Sequence, residues 1–241
     1  MLSLESVLEQ TSDLPVFSSA VQEVIRAIDR PDSSPKEVAA ALRKDPGLAV
    51  KVLRLANSSW YGFSRSTDSL EQAAVNLGLN GIRSLAIAAS SYSWLARELP
   101  GWGIGPEQLW THSSSAALAS QRLAQRSRLA EPDLALTAGL LHDIGLVAMS
   151  LALGTKSRAV KDYSIREKMP FPLVEQKVLG FDHCQVGAGL AEAWGLPERI
   201  VEAIRWHHEP GKAKQYFGLA AVVHAGIQAA DSLGYRLTRH G

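Results

Sequence analysis

No histidine occurs before His112 in this 241-residue chain; all seven fall from there onward. Cysteine is scarcer still. Cys184 stands alone, which excludes an intramolecular disulfide and fits a reducing compartment. No run of basic residues occurs. The 25 lysines and arginines nearly balance 24 acidic residues, for a net charge of +1. Such a balance gives no electrostatic footprint for nucleic acid or an anionic membrane. Alternation of apolar and polar residues with β-branched enrichment is also missing, so strands are not expected. The opening MLSLESVLEQ lacks the basic start and long apolar core of a signal peptide. The longest near-apolar run, about 134–153, is interrupted by His142 and Asp143, which makes it a poor membrane span. These absences predict a soluble, cytoplasmic chain with neither nucleic acid nor membrane as a partner.

What remains is helical. The 46% hydrophobic and 20% charged fractions are those of an ordinary globular protein. Phe17, Val21, Val24, Ile25 and Ile28 share one helical face. Ser34-Pro35-Lys36-Glu37 reads as a capping box with proline in the first turn, opening a helix to about Arg43. Asp45-Pro46 opens the next. Asp68 with Glu71 reads as a further capping pair, and Asn80 as an N-cap. Further helices are expected over 80–97, 106–127, 133–153, 157–168, 171–179, 183–193, 197–207 and 216–233. The fold class is all-α. The stretch LPGWGIGP at 99–106, with two prolines and three glycines, predicts a boundary between an N-terminal helical lobe, 1–100, and a histidine-bearing lobe, 101–241.

GLLHDIG at 139–145 sets a histidine beside an aspartate inside an apolar run, where an unpaired charge is costly. The candidate polar cluster is His112, His142, Asp143, His183, His207 and His208, with His224 or Asp231 as further members. Imidazole and carboxylate together suit iron, zinc, nickel or manganese better than magnesium. The small Ala138 and Gly139, one turn before the pair, would let an ion lie close to the helix. Each residue also has a plainer reading. A lone core histidine usually bonds a backbone carbonyl. His207 and His208 could cap a helix C-terminus. His183 follows Asp182, which forms a capping pair with Gln185. His240 belongs to the tail.

The order of the segments is informative. WTHSSSAALA, AGLLHDIG, GFDHCQVGAGLAEAWGLP and AIRWHHEP resemble the HD superfamily of metal-dependent phosphohydrolases, in particular its HDOD branch, the HD-related output domains of bacterial signalling. LPVFSSAVQEVIRAI, KDPGLAVKVLRLANSSWYG and SLEQAAVNLGLNGIRSLAI resemble the front half of those domains. The resemblance covers about 12–235 and implies an HD-like helical fold with an N-terminal helical lobe. It implies a metal set of His112, His142, Asp143, His183, His207 and His208, with Asp143 as the bridging and, in an active enzyme, catalytic carboxylate. In the catalytic relatives such a site activates water for attack on phosphorus.

The departures point elsewhere. Leu146 stands where HD-GYP phosphodiesterases carry a lysine after the His-Asp-x-Gly motif. Gln108 replaces the glutamate before the first histidine, and no GYP segment follows His207-His208. The closing aspartate of the superfamily should lie in VVHAGIQAADSLG, where the best register puts Gly226 or Ile227 at its position and Asp231 about a turn late. The resemblance therefore implies a signal-transduction module with a degenerate, metal-binding site, acting through a protein partner in trans. The alternative is a metal-dependent phosphohydrolase on a nucleotide or cyclic dinucleotide. Arg43, Lys44, Lys51 and Arg54 read as a solvated basic face. Trp60-Tyr61-Gly62-Phe63 reads as core or inter-lobe packing, and as a docking patch if exposed.

Overall fold

A computed structural model describes residues 3–11, 18–58 and 67–237 of the chain. The Trp60–Phe63 aromatic cluster and His240 lie outside the described residues. Helices follow one another as α1 (Leu4–Thr11), α2 (Ser19–Asp29), α3 (Pro35–Arg43), α4 (Pro46–Ala56), α5 (Leu70–Leu95), α6 (Gln108–Ser127) and α7 (Pro132–Leu141). They continue as α8 (Ile144–Leu153), α9 (Ser157–Glu167), α10 (Phe171–Leu179), α11 (His183–Ala193), α12 (Glu198–Trp206) and α13 (Phe217–Ser232). Among the described residues no strand forms; a single antiparallel bridge joins Leu99 to Ile104. The all-α class read from the sequence is the observed one.

The chain divides into two compact units, Pro15–Ser93 and a larger one combining Met1–Leu14 with Trp94–Gly241. The division differs from the lobes expected from LPGWGIGP. That stretch folds into the larger unit, where Leu99 N–H donates to the Ile104 carbonyl at 2.8 Å and Trp102 is buried.

In the smaller unit local chemistry sets most boundaries. Glu37 N–H donates to Ser34 Oγ at 3.3 Å and Ser34 N–H to Glu37 Oε2 at 3.1 Å, completing the expected capping box. Asp45 caps α4 through Leu48 N–H at 3.0 Å. At α5 the cap is Ser69, whose Oγ accepts from Gln72 N–H at 3.1 Å, rather than the expected Asp68–Glu71 pair. Glu71 instead pairs with Arg43, and Lys44 with Glu23, so half of the expected basic face is neutralised by carboxylates. The break in α5 falls at Gly78 (φ 73°, ψ 169°), not at Asn80, because the turn needs a left-handed residue. Asn57 ties two parts of the unit together: it donates to the Thr67 carbonyl at 2.9 Å and accepts from Thr67 N–H at 2.6 Å.

In the larger unit α6 packs against α7 and α13, α11 against α8 and α12, and α1 against α8 and α11. Its core includes fully buried Leu109, Leu141, Ile144, Met149, Leu190 and Ile200. Each such side chain contributes about 1.5–3 kcal/mol relative to exposure. Residues 132–153 form the one stretch among the described residues apolar and long enough to cross a membrane. In the protein 89% of its window is buried. Two glycines set the closest approaches. A Cβ on Gly145 of α8 would sit 2.0 Å from the His183 carbonyl oxygen of α11. A Cβ on Gly226 of α13 would sit 2.8 Å from Ser120 N and 2.9 Å from the Ala116 carbonyl of α6. Both obstacles are backbone and cannot rotate away.

Gly145→Ala is therefore expected to lower unfolding free energy by about 1–3 kcal/mol through forced separation of α8 and α11. Gly211→Ala, with nothing within 4 Å, is expected to stay within about 0.5 kcal/mol of wild type. Urea unfolding of the two variants checks the contrast.

Candidate metal centre

Helix ends supply most of the site. His112 lies in the first turns of α6, on the buried face it shares with Leu109, Ser113 and Ala116. His142 and Asp143 occupy a break between α7 and α8, where a single helix over 133–153 was expected. Asp143 leaves helical geometry (φ −101°, ψ 13°), and Leu146 N–H turns back to its carbonyl at 3.0 Å. The polar pair is thereby swung out of an otherwise apolar stretch. His183 is the first residue of α11, placed by the Asp182–Gln185 capping box. His207 closes α12 and His208 follows it.

All six residues of the expected metal set come together. Asp143, buried, is the hub. Its Oδ2 lies 3.1 Å from His142 Nε2 and 3.6 Å from His112 Nε2. Its Oδ1 lies 3.3 Å from His183 Nε2 and 3.7 Å from His207 Nε2. His208 joins through His183, with the two Nε2 atoms 3.2 Å apart.

The far side of each ring fixes its tautomer. Nδ1–H of His112 donates to the Tyr235 carbonyl, that of His142 to Gly139 and that of His207 to Ile204, each at 2.7 Å. A carbonyl oxygen has no proton to give, so Nδ1 must hold it. His183 Nδ1–H donates to Glu175 Oε2 at 2.6 Å, an oxygen that also accepts from His183 N–H at 2.9 Å. Neutral rings at His112, His142 and His207 so arranged present three Nε2 lone pairs to one carboxylate, while His183, its hold on a proton strengthened by Glu175 and Asp143, can answer the carboxylate as a donor. His112 and His142 even face each other Nε2 to Nε2 at 3.2 Å. One shared proton can satisfy a single such contact; cations among these atoms would satisfy all of them. The donor set fits divalent transition ions. The ligating atoms fall into two groups, His112 with His142 and Asp143, and His183 with Cys184, His207 and His208.

Protonation follows from burial and neighbours. Burial opposes charge on Asp143, but His142 and His183 outweigh it and hold the carboxyl well below its ordinary range. Burial also opposes a His183 cation, yet Cys184, Glu175 and Asp143 raise its pKa well above the usual value. Burial and then His208 and His142 keep His207 well below it. Burial and His142 lower His112. Desolvation of its inner edge and His183 push His208 down to about 3.

Several placements differ from expectation. Gly139 does not make room for an ion: a Cβ there would lie 2.8 Å from Ala117 Cα of α6, so the glycine serves helix packing. His224 stays outside the cluster and donates to the His207 carbonyl at 2.8 Å. Gln108 binds Gly105 N–H at 2.7 Å. Neither Gly226 nor Ile227 stands in for the closing aspartate, because α13 runs antiparallel to α6. Gly226 meets Ala116 and Ser120, and Asp231, further along, draws level with His112. Its carboxylate lies 3.6 Å from His112 Nδ1 and 3.5 Å from Arg236 Nε. Sequence reasoning missed Glu175 altogether. The sign was present, since Phe171, Val174, Glu175 and Val178 share the spacing of an apolar stripe, with a carboxylate in one place.

A cavity of about 410 Å³ opens on His112, His142, Asp143 and His183. Trp102 and Phe171, ring centres 5.8 Å apart, line it with Leu146, Leu173 and Ile227. A second cavity of about 390 Å³ reaches Cys184 and the other side of His208.

An all-helical protein in which separate helix ends gather histidines around a His-Asp pair is of the HD type. The family model of the HDOD domain matches residues 14–210, and the chain belongs to that family. A solved structure from Shewanella amazonensis SB2B, named "Putative phosphohydrolase", is 27% identical with a TM-score of 0.75, covering 96% of this chain and 82% of that one. An HDOD domain protein of unknown function from Geobacter sulfurreducens is 30% identical with a TM-score of 0.73, covering 99% and 80%. An uncharacterised Treponema pallidum protein (strain Nichols) is 27% identical over 224 residues; the match takes in 90% of this chain and 42% of that protein's length.

Chelator-treated protein should lose stability on mild acidification. His112, His207 and His208 sit below the ordinary 6.5, so below that pH the unfolded chain binds protons that the folded chain refuses. Their contribution is present above about 6.5 and fades toward the folded values, about 3 for His208. His183 acts in reverse: its contribution is full below its unfolded value and is lost as pH rises through its raised folded value. With three groups against one, calorimetry should show a lower Tm at about pH 5 than at about pH 7. Separately, Glu175→Gln removes the anion behind His183. Metal affinity is expected to drop about 10–100-fold, measured by competition with a chromophoric chelator.

Proposed function

We propose that this chain is a cytoplasmic signalling module that binds divalent transition ions (iron, zinc, nickel or manganese) at its HD centre and acts through a protein partner in trans. One observation carries the metal reading: His112, His142 and His207 spend their Nδ1–H on backbone carbonyls and turn three Nε2 lone pairs on Asp143. His112, His142, Asp143, His183, His207 and His208 would hold the ions. When bound, such ions supply Lewis acidity toward a phosphoryl oxygen and lower the pKa of water.

The surroundings support regulation over fast hydrolysis. Leu146 lines the cavity where catalytic relatives carry lysine. Gln108 is occupied at Gly105 and brings no charge to the centre. Among the described residues lining the cavity, the sole guanidinium or ammonium group belongs to Arg236, and Asp231 already pairs with it. A phosphodiester entering there meets little positive charge from side chains. Losing one general acid or base typically lowers rate by about 10²–10⁴-fold.

A second reading, hydrolysis of a nucleotide or cyclic dinucleotide, is favoured by the cavity itself. About 410 Å³ suits a small ligand, and it abuts Asp143 on one side and an aromatic pair on the other.

Elemental analysis of protein purified without chelator is expected to give about one ion per chain or more, sharply reduced in Asp143→Ala. Phosphodiester and cyclic-dinucleotide assays on the loaded protein are expected to stay near background. Turnover that Asp143→Ala abolishes would replace the signalling reading with the enzymatic one. Protein that takes up no ion after reconstitution would remove the metal reading.

A further inference from the structure

Cys184 is the one cysteine of the chain, and it lies inside the histidine cluster. Its Sγ is 3.6 Å from His183 Nε2 and 3.9 Å from His207 Nε2. His183 Nε2 is 3.2 Å from His208 Nε2. One ligating atom from each of the four residues falls within 4.8 Å of the others.

These separations have a simple geometric meaning. A tetrahedral ion with nitrogens at 2.0–2.1 Å and sulfur at 2.3 Å spaces its ligands about 3.3 Å apart for two nitrogens and about 3.6 Å for sulfur and nitrogen. The sulfur edges of 3.6 and 3.9 Å and the His183–His208 edge of 3.2 Å lie close to those lengths, and the remaining edges fall within 4.8 Å. The plainer account is a buried thiol used as a small apolar filler, with its proton donated to one imidazole. That proton could answer one lone pair. It leaves the others in the group facing each other and facing Asp143.

Resting on the metal-binding reading above, we propose that Cys184 is a metal ligand. With His183, His207 and His208 it completes a three-histidine, one-thiolate set, separate in kind from His112, His142 and Asp143. The two sets then differ in character. The cysteine-containing set has four protein ligands, as in closed sites that hold an ion for structural ends. The other set has three, all lining the larger cavity alongside His183 and His208, which leaves a coordination position for an exogenous ligand. A thiolate among imidazoles selects zinc, or iron and cobalt in the divalent state, over manganese. The supporting shell is in place: Glu175 orients His183 and the Ile204 carbonyl orients His207. The second cavity, which reaches Cys184 and His208, gives an approach path from outside.

The test is cobalt(II) loading of the full chain after chelation, followed by absorption spectroscopy and metal counting. Wild-type protein is expected to show a near-ultraviolet sulfur-to-cobalt charge-transfer band. Cys184→Ser and Cys184→Ala are expected to lose that band and about one ion per chain, while keeping uptake at the other set. Far-ultraviolet circular dichroism controls for unfolding, and the wild-type band needs no variant. Cobalt uptake by wild type without the band, or variants that keep the band, would overturn the assignment of Cys184 and leave the metal reading standing. No uptake by wild type would overturn both.

Discussion

A carboxylate taken out of water must find compensating positive charge or donors, and this requirement organises the larger unit. Asp143 is buried, and its carboxylate lies among the imidazoles of His112, His142, His183 and His207. The rings cannot all answer it as donors, because their protons are committed behind them to carbonyls and to Glu175. The arrangement makes physical sense as a cation cage with a carboxylate at its centre. Much of the packing serves that cage. The contact between Gly145 and the backbone of His183 brings α8 and α11 close enough for Asp143 and His183 to meet. The approach of α13 to α6 at Gly226 does the same for Asp231 and His112.

Where boundaries depend on neighbours in sequence, the chain could be read directly. α3, α10 and α11 occupy the expected spans, α3 from Ser34-Pro35 and α11 from Asp182 with Gln185, because caps and breakers act locally. The cluster of histidines around Asp143 was legible as a set, through the order of the motifs. Its registers were not. The turn at His142–Asp143 interrupts a run whose apolar pattern predicts an unbroken helix, and polar side chains pulled inward decide it. The level at which α13 passes α6 depends on a glycine meeting backbone across the interface, which no periodicity within α13 reveals. Glu175 was easy to overlook for a related reason, although its place in the apolar stripe of α10 marked it. A carboxylate on a short amphipathic helix looks solvated until its tertiary partner, His183, is known.

Membership of the HDOD family and the chemistry of the cavity bear on each other. Aromatic and aliphatic side chains line the cavity beside His112, His142, Asp143 and His183. A site so built can hold a small ligand against bound metal with few charged contacts of its own.

The cage is assembled from residues far apart along the chain. His112 bonds to Tyr235 across 123 positions, and His142 faces it across 30. Such contacts form only after the chain has closed large loops, which delays them relative to local helix formation. The geometry of the cluster is therefore a late product of folding, and an ion captured early by adjacent pairs such as His207-His208 would hold only a fragment of it. Were an ion taken up, topology would have to be completed first and the inorganic component seated afterwards.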